Sequence, residues 1–110
     1  MKPLEGRVAL ITGASRGIGR AVAQRLAASG GSVYLAADGT AEELAAVAAA
    51  CEAAGAARAA WGLHDLSLSD SPNQMVAEAA RVMGRVDILV NNAGIRIRKA
   101  FCDFTAEDYD

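Results

Sequence analysis

The segment Thr12-Gly13-Ala14-Ser15-Arg16-Gly17-Ile18-Gly19 combines three glycines with a serine and an arginine, a composition that suits phosphate binding. A phosphate needs several donors at once, and a helix N-terminus offers unpaired N–H groups at the positive end of a dipole. Its glycines would allow a tight turn, a close approach of backbone to phosphate, and close helix packing. No Gly-Lys-Ser/Thr follows, which excludes a Walker A loop. The segment indicates a phosphate-binding loop, with a purely structural glycine turn as the alternative.

The elements around this loop follow from hydrophobic patterning. Apolar or β-rich runs predict four strands, at residues 8–12, 32–37, 59–63 and 86–90. Ile18, Val22 and Leu26 recur at helical spacing after the glycines, and a capping box at Thr40 opens an alanine-rich helix that ends near Gly55. A third helix is predicted from an N-cap at Ser71 to Gly84, with an apolar stripe formed by Met75, Val76, Ala79, Ala80 and Met83.

Strands and helices therefore alternate as βαβαβαβ, which predicts an α/β fold with a parallel sheet. Two further polar segments follow strands, Asp65-Leu66 after the third and Asn91-Asn92-Ala93-Gly94 after the fourth. Open α/β sheets bind ligands at the carboxyl ends of their strands. The glycine loop and these two segments are therefore expected to converge on one crevice.

In this order and at these separations, the T-G-x-x-x-G-x-G loop, Asp65 and N-N-A-G resemble the short-chain dehydrogenase/reductase family. The resemblance runs from about Leu4 to the last residue, and residues 6–27 and 86–94 are similar to bacterial 3-oxoacyl-carrier-protein reductases. It implies a Rossmann-type, doubly wound parallel sheet, in the strand order 3-2-1-4 for the part present. Residues 1–110 would form the N-terminal part of a single dinucleotide-binding domain, apparently truncated.

The resemblance also implies site residues. The cofactor phosphates would be surrounded by Gly13, Ser15, Arg16, Gly17, Ile18 and Gly19. Asp65 would bind the adenine amino group, with the backbone of Leu66 beside it. The ribose side would be lined by Asn91, Asn92, Ala93 and Gly94. For Asn91 and Asn92, satisfying backbone groups between strands and helices is an equally weighted interpretation.

The choice between NAD and NADP depends on charge after the second strand. A carboxylate there can bind the ribose hydroxyls of NAD and repels the 2′-phosphate of NADP. Ala37 and Asp38 occupy this turn, and Asp38 opposes NADP, although in the family the NAD-selecting acid often stands at the position of Ala37. Arg16 in the glycine loop could instead reach a 2′-phosphate. Asp38 is also a common turn former before Gly39. NAD is the favoured cofactor, with NADP as the alternative.

The family's chemistry is hydride transfer between nicotinamide and a carbonyl or alcohol substrate, with a serine and a Tyr-x-x-x-Lys pair as catalytic residues. The sequence has no Tyr-x-x-x-Lys, so no catalytic residue is assigned. Family members reach about 250 residues as one domain. We expect this chain to be the cofactor-binding part of an oxidoreductase, and we expect the full-length protein to be a homo-oligomer. The alternative is a non-catalytic dinucleotide-binding or scaffold module from a truncated paralogue.

The amino-acid composition excludes several other classes of protein. With 53% hydrophobic and 22% charged residues the chain should fold, and a net charge of −2 argues against nucleic-acid binding. Cys51 and Cys102 lie far apart without metal-ligand spacing, which predicts free thiols and no metal site. No apolar run approaches a membrane span and no signal peptide is recognisable. A cytoplasmic protein without membrane contact is expected.

Overall fold

A computed structural model describes residues 2–15, 17–64 and 72–91 of the chain. Strands and helices alternate through them, as the hydrophobic pattern predicts. In chain order they are β1 (Val8–Thr12), α1 (Gly17–Ala28), β2 (Ser32–Ala37), α2 (Ala41–Ala54), β3 (Ala59–Leu63), α3 (Pro72–Met83) and β4 (Ile88–Val90). None of the helices in the described ranges is long and apolar enough to cross a membrane.

The four strands form one parallel sheet in the order β3-β2-β1-β4, which confirms the predicted topology. Ala9 of β1 pairs with Val33 on one side and with Ile88 on the other. All five residues of β1 are buried because helices cover both faces of the sheet, and this explains the unbroken apolar run of its sequence.

Alternate residues of each strand enter two separate cores. Ile11 and Leu35 pack with Leu44 and Val47 in the core beneath α1 and α2. Leu10 and Tyr34 pack with Met75 and Ala79 in the core beneath α3. The side-chain period of two in a strand places neighbouring residues on opposite faces. The central strand therefore contributes to both cores.

Helix α2 begins and ends at the predicted signals. The Thr40 side chain accepts a hydrogen bond from the Glu43 backbone N–H at 3.1 Å, and the Glu43 carboxylate accepts one from the Thr40 backbone N–H at 3.1 Å. This is the capping box that the sequence predicts. Gly55, with a φ of 136°, ends the helix and donates its N–H to the carbonyl oxygens of Cys51 and Glu52.

The sequence predicts that Ile18 lies on the buried, apolar side of α1, and this prediction is wrong. Ile18 is 61% exposed, and the buried residues of the helix are Gly19, Ala23, Leu26 and Ala27. Gly17 starts the helix from a left-handed backbone conformation, with a φ of 63°. The small residues Gly19 and Ala23, four positions apart, face the sheet and permit close packing, so Ile18 lies outside that contact.

The last strand is shorter than predicted. Regular pairing starts at Ile88, not at Val86, because Asp87 intervenes at the beginning of the ladder. The carboxylate of Asp87 accepts the backbone N–H of Val8 at 2.9 Å, while its own N–H donates to the Val8 carbonyl oxygen at 2.8 Å. A side-chain oxygen thus replaces the strand carbonyl that would otherwise accept from Val8.

Candidate functional site

The glycine loop joins the end of β1 to the start of α1. Gly13 and Gly17 have φ values of 64° and 63°. An L-residue in this conformation costs roughly 1–2 kcal/mol, so both turns require glycine. A Cβ added at Gly17 would meet no atom of the described residues within 4 Å, so none of them fills the space above this part of the loop. The loop is therefore shaped to admit another molecule close to its backbone.

Helix α1 presents its N-terminus to that open space. The first turn carries no acidic side chain that would neutralise the positive end of the helix dipole. The first N–H groups of a helix have no carbonyl partner within the helix. Ile18, the exposed apolar residue of this turn, lies next to them. The arrangement can hold an anionic group on backbone amides, as a diphosphate requires.

The loop is fixed to the neighbouring strand. The backbone N–H of Ala14 donates to the carbonyl oxygen of Ala36 at 3.3 Å, near the end of β2. Ser15 is 9% exposed, and its hydroxyl lies 3.1 Å from the position of a Cβ at Gly39. Asp38 lies between Ala36 and Gly39 in the chain, and its side chain is exposed. The structure thus brings Ser15, Asp38 and the glycine loop together at the carboxyl end of the sheet.

The end of β4 lies beside the end of β1. The hydroxyl of Thr12 is 3.3 Å from the carbonyl oxygen of Val90 and 3.2 Å from Oδ1 of Asn91. Thr12 is 1% exposed, so this hydroxyl is buried and makes its contacts within the protein. Asn91 therefore has a supporting contact, one of the two interpretations that the sequence leaves open. Thr12 opens the glycine motif but is not among the predicted site residues, because the sequence does not indicate its contact with the end of β4.

Six predicted site residues lie outside the described residues. They are Arg16, Asp65, Leu66, Asn92, Ala93 and Gly94. His64, directly before Asp65, is described: its Nε2 lies 3.1 Å from the hydroxyl oxygen of buried Tyr34, and its backbone N–H donates to the carbonyl oxygen of Ala37 at 2.9 Å. These contacts join the end of β3 to β2 and give His64 a structural role. No group of metal-ligating side chains occurs in the described ranges.

The clearest pKa shifts of buried or paired groups occur elsewhere in the fold. A hydrogen bond from the Arg85 side chain lowers the pKa of Asp87, at the opposite end of the sheet, and the Val8 backbone N–H and nearby arginines contribute. Burial raises the pKa of the Cys51 thiol in α2 to about 11, and the charge of Glu52 adds to this effect.

A parallel sheet in this order, with a glycine turn opening the first helix, defines a Rossmann-type protein. The family model "short chain dehydrogenase" matches residues 7–110. The chain belongs to the short-chain dehydrogenase/reductase family, and the resemblance seen in the sequence is confirmed. Its relatives are oxidoreductases.

The curated relatives that the chain matches are longer than the chain itself. It is 42% identical to gluconate 5-dehydrogenase of Gluconobacter oxydans over 108 residues, which cover 97% of the chain and 41% of that protein. It is 38% identical to a 3-oxoacyl-[acyl-carrier-protein] reductase, FabG, of Aquifex aeolicus over 97% of the chain and 43% of that protein. The chain thus spans about two-fifths of the length of these relatives.

Solved structures agree with the fold. A short-chain dehydrogenase/reductase from Serratia marcescens superimposes with a TM-score of 0.76 at 36% identity, covering 96% of the chain and 43% of that structure. The RhlG/NADP active-site complex of Pseudomonas aeruginosa superimposes with a TM-score of 0.68 at 38% identity, covering 81% of the chain and 35% of that structure.

Proposed function

We propose that this chain is the N-terminal, dinucleotide-binding part of an NAD(P)-dependent oxidoreductase. The observation that carries the proposal is the start of α1 at Gly17. There a left-handed glycine, open space and an N-terminal turn without acidic residues coincide beside the end of β1. A dinucleotide diphosphate needs these features, and the fold places them where parallel sheets bind ligands.

The residues present fit such a cofactor. The backbone amides at the start of α1 would hold the diphosphate, and exposed Ile18 would cover it on one side. Around them stand the other proposed contacts: Gly13, Ser15, Arg16, Gly17 and Gly19 of the loop, Asp65 and Leu66 on the adenine side, and Asn91, Asn92, Ala93 and Gly94 on the ribose side. Thr12 would orient Asn91 through the contact described above.

The nicotinamide, when bound, would supply or accept the hydride exchanged with a small-molecule carbonyl or alcohol. The residues of this chain bind and orient the cofactor. Tyr34 is followed by Asp38 at the fourth position, and residues 1–110 contain no Tyr-x-x-x-Lys, so no residue of this chain is proposed for proton transfer to the substrate. Because the named relatives include both a gluconate 5-dehydrogenase and a 3-oxoacyl reductase, the substrate class stays at carbonyl or alcohol.

The preferred cofactor is NAD. Asp38 is exposed at the end of β2, where its carboxylate would face the ribose hydroxyls of NAD and repel a 2′-phosphate. A solved relative is a complex with NADP, which keeps NADP as the alternative cofactor. Charge at this turn is the local observation that favours NAD.

A direct test is titration of the full-length protein with NADH and NADPH, followed by the nicotinamide fluorescence. We expect saturable binding of both, with NADH bound more tightly. Asp38→Ala should raise the affinity for NADPH, because it removes a charge close to the 2′ position. Binding of neither dinucleotide contradicts the proposed function, and NADPH binding at least about tenfold tighter, or about 1.4 kcal/mol, contradicts the cofactor preference.

A further inference from the structure

The first turns of α1 and α2 both lie at the carboxyl end of the sheet, but their N-termini differ in charge. The first turn of α1 has no acidic residue, whereas the first turn of α2 contains Glu42 and Glu43. A helix N-terminus attracts anions. The N-terminus of α1 is therefore available to an external phosphate. The N-terminus of α2 already has carboxylates of its own in its first turn.

Glu43 is held in place by the capping box. Its Oε1 accepts the backbone N–H of Thr40 at 3.1 Å, and its own N–H is taken by the Thr40 hydroxyl at 3.1 Å. Two backbone donors that a phosphate at this helix end would need are thus already used. The charge of Glu43 is fixed at the helix end instead of extending into solvent.

The fixed carboxylate lies against the turn that follows β2. A Cβ at Gly39 would come within 2.6 Å of Glu43 Oε1 and within 3.1 Å of the Ser15 hydroxyl. The φ of Gly39 is not in the left-handed range, so close approach is the reason for glycine here. Gly39 therefore lies close to both Ser15 of the glycine loop and Glu43 of α2.

This turn is where a dinucleotide held by the loop would present its adenosine ribose. Asp38 is exposed there, and Glu43 adds a second negative charge next to Gly39. Glu43 and Ser15 also line a cleft of about 340 Å³ between α1 and α2, with Arg20 and Gln24 on the α1 side. Among the described residues that line this cleft, Arg20 is the basic one, and a 2′-phosphate could use its charge.

We propose that Glu43 is a selectivity residue for the dinucleotide, which disfavours the 2′-phosphate of NADP by occupying the anion-binding end of α2. The inference rests on the proposed function. Like-charge repulsion close to the ribose would weaken NADPH binding and leave NADH binding nearly unchanged. The selectivity would then come from two carboxylates on different elements, Asp38 after β2 and Glu43 in α2.

The test compares Glu43→Gln with Glu42→Gln in the full-length protein. Glutamine at position 43 can keep the capping box, since its side-chain oxygen also accepts a hydrogen bond. Glu42→Gln removes the same charge from the exposed neighbouring position of the same turn. Dissociation constants for NADH and NADPH are measured by fluorescence at low ionic strength, and a thermal melt checks that each variant is folded.

We expect Glu43→Gln to tighten NADPH binding about fivefold, or about 1 kcal/mol, with NADH changed less than about twofold. Glu42→Gln should change neither by more than about twofold. Equal effects of the two variants, or no change in NADPH affinity, would overturn the inference while dinucleotide binding by the wild type upholds the proposed function. Loss of NADPH binding in Arg20→Gln with Glu43→Gln neutral would also overturn it. A wild-type protein that binds neither dinucleotide contradicts the proposed function itself.

Discussion

The hydroxyl of Thr12 lies 3.2 Å from Oδ1 of Asn91, and through this contact the end of β1 is tied to the end of β4. The same hydroxyl is 3.3 Å from the carbonyl oxygen of Val90. Two segments separated by most of the chain are therefore held together directly below the glycine loop. The candidate site depends on this link, because the loop follows Thr12 and the N-N-A-G segment starts at Asn91.

Replacement of Thr12 tests the link. Thr12→Val keeps the shape and removes the hydroxyl, so a buried acceptor loses its donor. We expect the free energy of unfolding to fall by about 1–2 kcal/mol and NADH affinity to weaken. Thr12→Ser, which keeps the hydroxyl, is the control in urea unfolding and NADH titration of the full-length protein. Equal behaviour of the valine and serine variants would argue against the role of the hydrogen bond.

A second prediction separates backbone strain from cofactor binding. Gly17 and Gly84 have φ values of 63° and 91°, and a Cβ at either would meet no atom of the described part of the chain within 4 Å. Alanine at each position should therefore cost a similar stability, about 1 kcal/mol. Only Gly17→Ala should also weaken NADH binding, by about tenfold or more, because its Cβ enters the space proposed for the diphosphate. Equal affinities of the two variants would contradict the proposed position of the cofactor.

Much of the fold could be predicted because its signals are local. The unbroken apolar run of β1 predicts a strand buried on both faces, and the Thr40 and Glu43 pair predicts the start of α2. The alternation of strands and helices leaves few topologies, so the parallel arrangement also follows from the pattern.

The remaining features depend on contacts between residues distant in sequence. The position of Ile18 is decided by how the small residues Gly19 and Ala23 pack on the sheet, which the helical spacing does not indicate. Asp87 shortens β4 through its bond to Val8, 79 residues away. Periodicity predicts which face of an element is apolar, but it does not predict a side-chain acceptor in another strand.

The same Asp87 makes stability depend on pH. The Arg85 hydrogen bond, the Val8 N–H and nearby arginines lower its pKa below the ordinary value of 3.8. Its stabilisation is therefore complete above that value and is lost as the pH falls through the lower pKa of the folded state. Asp87→Asn should lower the free energy of unfolding at pH 7 by about 1 kcal/mol, and its difference from the wild type should shrink as the pH falls below 3.8, measured by urea unfolding.

The control for Asp87 is Glu78→Gln. Glu78 forms an ion pair with Arg81 on the surface of α3, at 2.6 Å. An exposed pair of this kind contributes little to folding, so the variant should unfold like the wild type at pH 7. A loss of stability as large as that of Asp87→Asn would show that the link between β1 and β4 has no special role.

Cys51 should make the folding stability depend on pH in the alkaline range. Its buried thiol has a pKa raised from 9.0 to about 11, mainly by burial and also by the charge of Glu52. The stabilisation is complete below pH 9.0 and is lost as the pH rises towards 11, because the unfolded chain releases the proton first. Cys51→Ala should lower stability at pH 7 and flatten its decline between pH 9 and 11, on the order of 2 kcal/mol, in urea unfolding. Parallel pH curves for the two proteins would contradict this.

The central claim is that backbone amides at the start of α1 hold a dinucleotide diphosphate. A crystal structure of the full-length protein grown with NADH tests it most directly. We predict diphosphate oxygens within hydrogen-bond distance of the N–H groups of Ile18 or Gly19, with the adenosine ribose next to Asp38. A loop closed over by its own side chains, or a dinucleotide bound away from residues 13–19, would contradict the account.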